Sequence, residues 1–239
     1  MFTQADNDKY LNSLEIQKRL TSAKQYNNWL FAQVEKYIRN CVLEVGCALG
    51  NFTCRLVERC SVCAIDTEGE YIKKVGSDFR GYRNFKAIQC DISSAEVLKL
   101  KQGRFNTIIC FNVLEHVEND VLALKNMHYL LEKDGFLCLI VPAFQGIFGE
   151  MDRTDNHYRR YNKNLLLKKV KMSGFHIVKT RYMNMPGFFG WWFNGIVLKR
   201  RFIPFRQMLT YEKIIPLVSI IEKIFEPPFG QSLVLVAKK

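Results

Sequence analysis

Three features of this 239-residue chain predict an α/β fold, a doubly wound sheet with helices on both faces. Short apolar runs of strand length alternate with stretches of helical spacing, several runs end in an acid or an amide, and small residues break the first run into a tight turn. Strands separated by helices run parallel, and such sheets bind ligands at the carboxyl ends of their strands.

In chain order, Leu11, Leu14, Leu20, Tyr26, Leu30, Val34 and Ile38 form an apolar stripe over residues 8–38, predicting one or two amphipathic helices that cover the sheet or its ligand edge. This makes 1–40 an N-terminal helical cover. The first strand, Cys41-Val42-Leu43-Glu44-Val45, breaks at Gly46-Cys47-Ala48-Leu49-Gly50 before a helix over about 51–59. Small residues at 46, 48 and 50 let a ligand approach the backbone, and Glu44 offers a carboxylate to a positively charged group. The spacing E-x-G-x-A-x-G is not the G-x-G-x-x-G of a dinucleotide turn.

The second strand, Val62–Asp66, ends in an acid placed to accept from ribose hydroxyls or to cap the segment beginning at Thr67. A third strand at Phe85–Cys90 leads into Asp91-Ile92. A fourth, Phe105–Phe111, leads into Asn112-Val113-Leu114-Glu115-His116-Val117, whose apolar members continue as one face of the helix at 119–133. Lys133-Asp134-Gly135 then turns the chain into a fifth strand, Phe136–Val141, stopped by Pro142. Asn162 is placed to cap a helix over 163–173, Phe175–Tyr182 reads as a sixth strand and Ser232–Ala237 as the last.

At Glu44–Gly50 the chain resembles the first motif of class I S-adenosylmethionine-dependent methyltransferases, (D/E)-x-G-x-G-x-G, with Ala48 in place of the middle glycine. The resemblance implies a Rossmann-like, seven-stranded sheet and S-adenosyl-L-methionine as cofactor. Glu44, Gly46, Cys47, Ala48 and Gly50 would hold its methionine portion, Asp66 and Thr67 the ribose, and Asp91 and Ile92 the adenine, with Asn112 and Val113 on the segment after strand four. The methyl of Ala48 implies weaker binding rather than its loss.

Beyond Pro142 the chain is dense in polar and aromatic groups, and it resembles a bacterial subgroup of these methyltransferases marked by F-G-x-x-D-x-x-x-x-H-x-R-R-Y, a G-F turn and W-x-x-N. Here the pieces are Phe148-Gly149, Asp152, His157, Arg159-Arg160-Tyr161, Gly174-Phe175, and Trp191 or Trp192 with Asn194. Members of the subgroup commonly accompany glycosyltransferases, which implies a sugar or lipid-linked acceptor by association. His157, in the pKa range of a general base, and Tyr158 are candidates for deprotonating or positioning the acceptor. Arg159 and Arg160 are candidates for gripping an anionic group, and Asp152 completes the catalytic set. The plainer alternative is a surface loop whose arginines pair with Asp152 and Asp155.

The net charge of +12 is concentrated late: from His157 onward 16 Lys and Arg face three Glu, while residues 1–156 are nearly neutral. This suggests an anionic partner: a phosphorylated or carboxylated small molecule, an acidic membrane surface or nucleic acid. Nucleic acid is disfavoured because the N/D-P-P-Y/F segment of base-amino methyltransferases does not follow strand four. A non-catalytic cofactor-binding protein is the other rival.

The core is expected to span 41–182 and to close with 232–239, while residues 183–231 form an inserted lid subdomain over the site. Within that insertion Pro186–Leu198, rich in Phe and Trp and followed by Lys199-Arg200-Arg201, is too short to cross a bilayer but suits a membrane interface. The polar residues 1–20 predict a cytoplasmic chain, and its eight cysteines are expected to be reduced. A single C-x-x-C, Cys60 and Cys63, has no second pair, so no metal site is expected.

Overall fold

The computed structural model describes Lys18 and residues 21–239. Leu11, Leu14 and Leu20 of the expected stripe therefore lie outside the described residues. The remainder of that stripe begins α1 (Lys24–Ala32), where Leu30 is buried, and continues through a 3-10 turn at Glu35–Tyr37.

Among the described residues, seven strands form one sheet in the order β3-β2-β1-β4-β5-β7-β6: β1 (Cys41–Val45), β2 (Ser61–Asp66), β3 (Phe85–Gln89), β4 (Phe105–Phe111), β5 (Leu131–Pro142), β6 (His176–Met183) and β7 (Ser232–Lys238). β1 to β5 are parallel, and β7 runs antiparallel between β5 and β6. The helices of the core are α2 (Thr53–Leu56), α3 (Gly69–Asp78), α4 (Asp120–Leu130), α5 (Glu150–Thr154) and α6 (Lys163–Met172). This is the expected α/β sheet.

Three local expectations shift. The helix expected over 51–59 contracts to the single turn α2, flanked by turns. β5 begins at Leu131, and its pairing with β4 is irregular between Phe105 and Thr107 around Asp134, which has φ +63. Asn162 stands at the N-cap of α6 without a side-chain capping bond.

Strand pleating sorts the core into two layers. Leu43, Ile108, Leu139 and Leu235 face α4 and α6, meeting Leu124, Met127, Leu166 and Val170. Val42, Ile109, Cys138 and Val234 face the other way, onto Trp29, Leu30 and Phe31 of α1 and Leu56 of α2. All eight cysteines are free, Cys110 and Cys138 being fully buried apolar filling.

The insertion folds as α7 (Met185–Trp192), a π turn at Phe193–Val197 and α8 (Phe205–Ile224). Ile215 of α8 packs in the layer with α1, joined at its margin by Tyr211 and Val218, while the Glu212 carboxylate accepts from the Gln25 and Tyr26 N–H groups at 2.8 and 3.0 Å. The unpaired amides of the first turn of α1 are thereby capped from another helix.

Candidate functional site

The carboxyl ends of β1, β2 and β4 and the segment after β3 open into one cavity of about 1650 Å³. Its wall at the sheet edge is a backbone device. Gly46, Ala48 and Gly50 all lie in the left-handed region, at φ +74, +45 and +83. A Cβ on Gly46 would stand 2.2 Å from Val113 Cγ2, and one on Gly50 would stand 2.8 Å from Phe79 Cε2, so space as well as dihedral angle demands glycine at both. The Ala48 N–H donates to Asp66 Oδ2 at 2.9 Å, and the Glu68 N–H donates to Asp66 Oδ1 at 3.0 Å. Asp66 thus clamps the turn and fixes the chain just ahead of α3, and each oxygen keeps a second lone pair for a ligand. Burial lifts its pKa against these amides.

Gly46, Cys47, Ala48, Asp66, Thr67, Asp91, Ile92, Asn112 and Val113 all line this cavity; Gly50, expected with them, does not, because it packs against Phe79 and Val75 and only shapes the turn. Asp91 Oδ1 accepts from both the N–H and the hydroxyl of Ser93, at 2.7 Å each. Asn112, at φ +52, is held by its N–H bond to the Ile140 carbonyl at 2.8 Å. Glu44 departs from the expectation that it meets the ligand. The pleat turns it to the face that Val42 shares, and it is buried outside the cavity wall, with Oε2 accepting from the Thr53 hydroxyl at 2.6 Å and Oε1 unpartnered. Burial, helped by Asp66, pushes its pKa up to about 8 against the Thr53 bond.

At the other end the cavity is walled by His116, Asp155, Asn156, His157 and Tyr158. Behind the wall lies Asp152, fully buried, with every lone-pair direction in use. Oδ1 meets His157 Nδ1 at 2.8 Å and accepts from Arg160 Nε at 2.7 Å; Oδ2 accepts from the Gly149 N–H at 2.9 Å and Trp191 Nε1 at 3.1 Å. Asp152 is the hub of a structural knot, and a carboxylate so engaged has no capacity to touch an acceptor.

Arg160, only 3% exposed, also donates from Nη1 to the Ala143 carbonyl at 2.9 Å and lies over the Trp191 ring. It therefore does not present a fork to an acceptor. Arg159 donates from Nη2 to the Glu118 carbonyl at 2.8 Å and pairs through Nη1 with Asp120 at 3.0 Å, so its guanidinium too is committed. Most of the F-G-x-x-D…H-x-R-R-Y and W-x-x-N pieces thus converge on Asp152 and on Tyr161, whose buried hydroxyl bridges the Leu114 carbonyl and Asp120.

His157 does line the cavity, but not as a free base. Burial alone would lower its pKa, yet bonds to Asp152 and, at 3.3 Å, to Asp155 outweigh it and raise it to about 9. The imidazolium form prevails at neutral pH, so general-base duty for His157 is corrected to a charged, positioned group. Tyr158 is half exposed at the cavity edge, with its N–H on the Glu115 carbonyl at 2.9 Å.

Two residues that sequence reading left unassigned belong to this wall. His116 meets His157 edge to face at 4.7 Å between centroids, and burial lowers its pKa to about 4. Glu115 is fully buried, and neither carboxylate oxygen has a hydrogen-bond partner. The signal was present as an acid and a histidine side by side directly after a strand at the ligand edge. Among the described residues, none of 183–231 lines the cavity. The insertion braces α1, whose Tyr26, Asn27 and Leu30 do line it, instead of forming the expected roof.

A methyltransferase domain family matches residues 40–185, more than half of the chain. An uncharacterized protein of Methanocaldococcus jannaschii is 29% identical over 139 residues, a match that spans 57% of this chain and about half, 55%, of that protein. The fold is similar to that of a SAM-dependent methyltransferase of Archaeoglobus fulgidus (16% identity, TM-score 0.58, covering 89% of this chain and 94% of that one). It is also similar to the N-methyltransferase NodS of Bradyrhizobium japonicum bound to S-adenosyl-L-homocysteine (16%, 0.55, 89% and 84%) and to the cyclase SpnF (14%, 0.59, 89% and 80%). With the sheet order and the left-handed turn after β1, these matches place the chain in the methyltransferase domain family.

Proposed function

We propose that the protein binds S-adenosyl-L-methionine along the β1–β4 edge and methylates an oxygen or nitrogen of a small acceptor held at the His116–His157–Tyr158 end. The observation that carries this is the continuity of the cavity from the β1–β4 edge to His157 and Tyr158. At about 1650 Å³ it exceeds the roughly 300–1,000 Å³ of a one-ligand site, so cofactor and acceptor share one chamber. The residues present fit the cofactor: Gly46 and Ala48 line the cavity at the turn, Asp66 retains acceptor capacity for ribose hydroxyls, and Ile92 offers an apolar surface to the adenine. Bound there, the cofactor would supply an electrophilic sulfonium methyl to an acceptor that presents a lone pair, a deprotonated oxygen or a neutral nitrogen whose surplus proton leaves to solvent. The chain contributes alignment, with Tyr158 and His157 orienting the acceptor. An anionic group on the acceptor would meet the His157 imidazolium rather than Arg159 or Arg160.

Calorimetric titration with S-adenosylmethionine and its demethylated product tests the reading, and absence of binding by both rejects it. Asp66→Ala should weaken the cofactor by about 1.5–3 kcal/mol, the scale of charge-assisted hydrogen bonds together with the lost clamp on Ala48. An unchanged dissociation constant in that variant would reject the ribose assignment.

A second observation favours a lipid-linked acceptor. Ile214, Leu217, Ile221 and Ile224 form an exposed stripe on α8, and Phe189, Trp192 and Phe193 stand exposed near the exposed Lys199, Arg200 and Arg201. No helix of the described residues is long and apolar enough to cross a membrane. We propose that this surface rests on an anionic leaflet, apolar side chains in the interface and bases on the headgroups. Co-sedimentation with phosphatidylserine vesicles should exceed that with neutral vesicles and fall on Leu217→Ser. Equal recovery with both vesicle types would overturn it.

A further inference from the structure

The wall behind the acceptor end holds an arrangement that methyl transfer alone does not use. Glu115, His116 and His157 each bring one ligating atom within 4.8 Å of the others. Metal–nitrogen and metal–carboxylate bonds of about 2.0–2.2 Å place tetrahedral ligand atoms about 3.4 Å apart, so closure needs side-chain movements of about 1 Å or less. His157 Nε2 and Asp155 Oδ2 already stand 3.3 Å apart, the spacing of two ligands on one ion.

Three further observations point to a cation. The Glu115 carboxyl is wholly buried and neither oxygen has a hydrogen-bond partner, so its anion is costly there and a cation beside it would reduce that cost. Around His157 stand Glu115, Asp152 and Asp155, while Arg160 is the guanidinium that faces them from within the knot. Without an ion, the His157 imidazolium and Arg160 face these three carboxylates; a cation would take the place of the proton that His157 Nε2 shares with Asp155. Finally, Asp152 holds His157 Nδ1 from behind at 2.8 Å, the outer carboxylate contact that turns Nε2 of a ligating histidine towards its metal.

We propose that Glu115, His116 and His157 Nε2, with Asp155 at the open side, bind one divalent first-row transition-metal ion at the acceptor end of the cavity, the ion displacing the Nε2 proton of the metal-free imidazolium to solvent. Two imidazoles with a carboxylate select ions such as Zn²⁺, Mn²⁺ or Co²⁺ over Mg²⁺, which prefers oxygen and water. The role of the site rests on the methyltransferase reading above. The ion faces the cavity through His116 and His157, so it accepts an oxygen of the acceptor, a hydroxylate, carboxylate or phosphate, and fixes it in front of the cofactor edge. This places a dication where the metal-free site offers an anionic acceptor the His157 imidazolium alone.

The test is titration of chelator-treated full-length protein with CoCl₂, followed by calorimetry and visible absorption, without cofactor. One equivalent should bind, with a spectrum of mixed nitrogen and oxygen ligation. Glu115→Ala and His116→Gln should each weaken binding at least tenfold, while Cys60→Ser leaves it unchanged, separating the site from the C-x-x-C thiols. Denaturation curves establish that the variants are folded, and two separate positions guard against the loss of either one. Absence of binding, or binding that survives both variants and disappears with Cys60→Ser, overturns the proposal. S-adenosylmethionine affinity, measured separately, should be unchanged in His116→Gln, so failure of the metal site and failure of the cofactor reading give different results.

Discussion

Two buried carboxylates a few ångströms behind the same cavity wall have opposite surroundings. Asp152 is fully buried and receives four partners, from Gly149, His157, Arg160 and Trp191, whereas Glu115 is equally buried and receives none. A satisfied buried carboxylate is architecture: it welds α5, the His157 loop and α7 into one unit and pulls its own pKa down against burial. An unsatisfied one marks a place where the fold tolerates a cost for a ligand. Sequence pattern cannot tell these apart, because both read as an acid near a histidine.

The largest effect that breaks this comparison should come from Asp152→Asn. The substitution removes the counter-charge of a 3% exposed guanidinium and leaves Arg160 buried without it, which costs about 3–5 kcal/mol. Urea denaturation measures it, and a loss below about 1 kcal/mol would show that the knot is not structural.

Glu44 lies between the two extremes, with one oxygen bonded to Thr53 and the other unpartnered. Its folded pKa, about 8, lies above that of the unfolded carboxyl, so the folded state retains a proton that the unfolded state releases. Stability is then full below the unfolded value and declines as pH rises towards the folded one, by about 1.4 kcal/mol per unit, or about 2 kcal/mol between pH 5.5 and 7. Thermal denaturation of the wild type and Glu44→Gln across that range isolates the contribution. A difference that is flat with pH would mean that Glu44 is ionised in the fold.

Glu115→Gln, the same acid-to-amide change as at Asp152, should move metal-free stability by less than about 1 kcal/mol, because neither carboxyl oxygen has a hydrogen bond to lose and burial already favours the neutral acid that Gln resembles. Equal losses at the two positions would erase the distinction between them.

What was legible in the sequence follows the same division. The strands, the turn after β1 and the acids lining the cavity are local: apolar runs of strand length, glycines required by φ and space, and an acid at a strand end are each set within a few residues. The fates of Asp152, Arg159 and Arg160 depend on partners brought from 145–194 and from Asp120, so donors that looked available to a ligand are consumed by packing. The insertion misled for a related reason. Its aromatic run read as a lid, but Glu212 and Ile215 direct α8 onto α1, beside the cavity rather than over it. Glu115 and His116 were overlooked because their neighbours Leu114 and Val117 explained the segment as the lead into a helix.

The smallest expected effect concerns the one residue by which the cofactor turn departs from its resemblance. Ala48 sits at φ +45, a conformation that costs a residue with a Cβ about 1 kcal/mol, and its N–H is nonetheless held on Asp66. Ala48→Gly removes that strain but gives the unfolded chain about 0.4–1 kcal/mol of additional entropy to lose. The two nearly cancel, so stability should rise by about 0.5 kcal/mol or less. Cofactor affinity is the more telling readout. If the Ala48 methyl crowds the methionine portion, glycine should tighten S-adenosylmethionine binding by a few fold without altering metal binding at the far end, since distant sites contribute independently. Weaker binding in the glycine variant would instead show that the alanine stiffens the turn in its binding form, and that the departure from glycine is an adaptation of the cofactor edge.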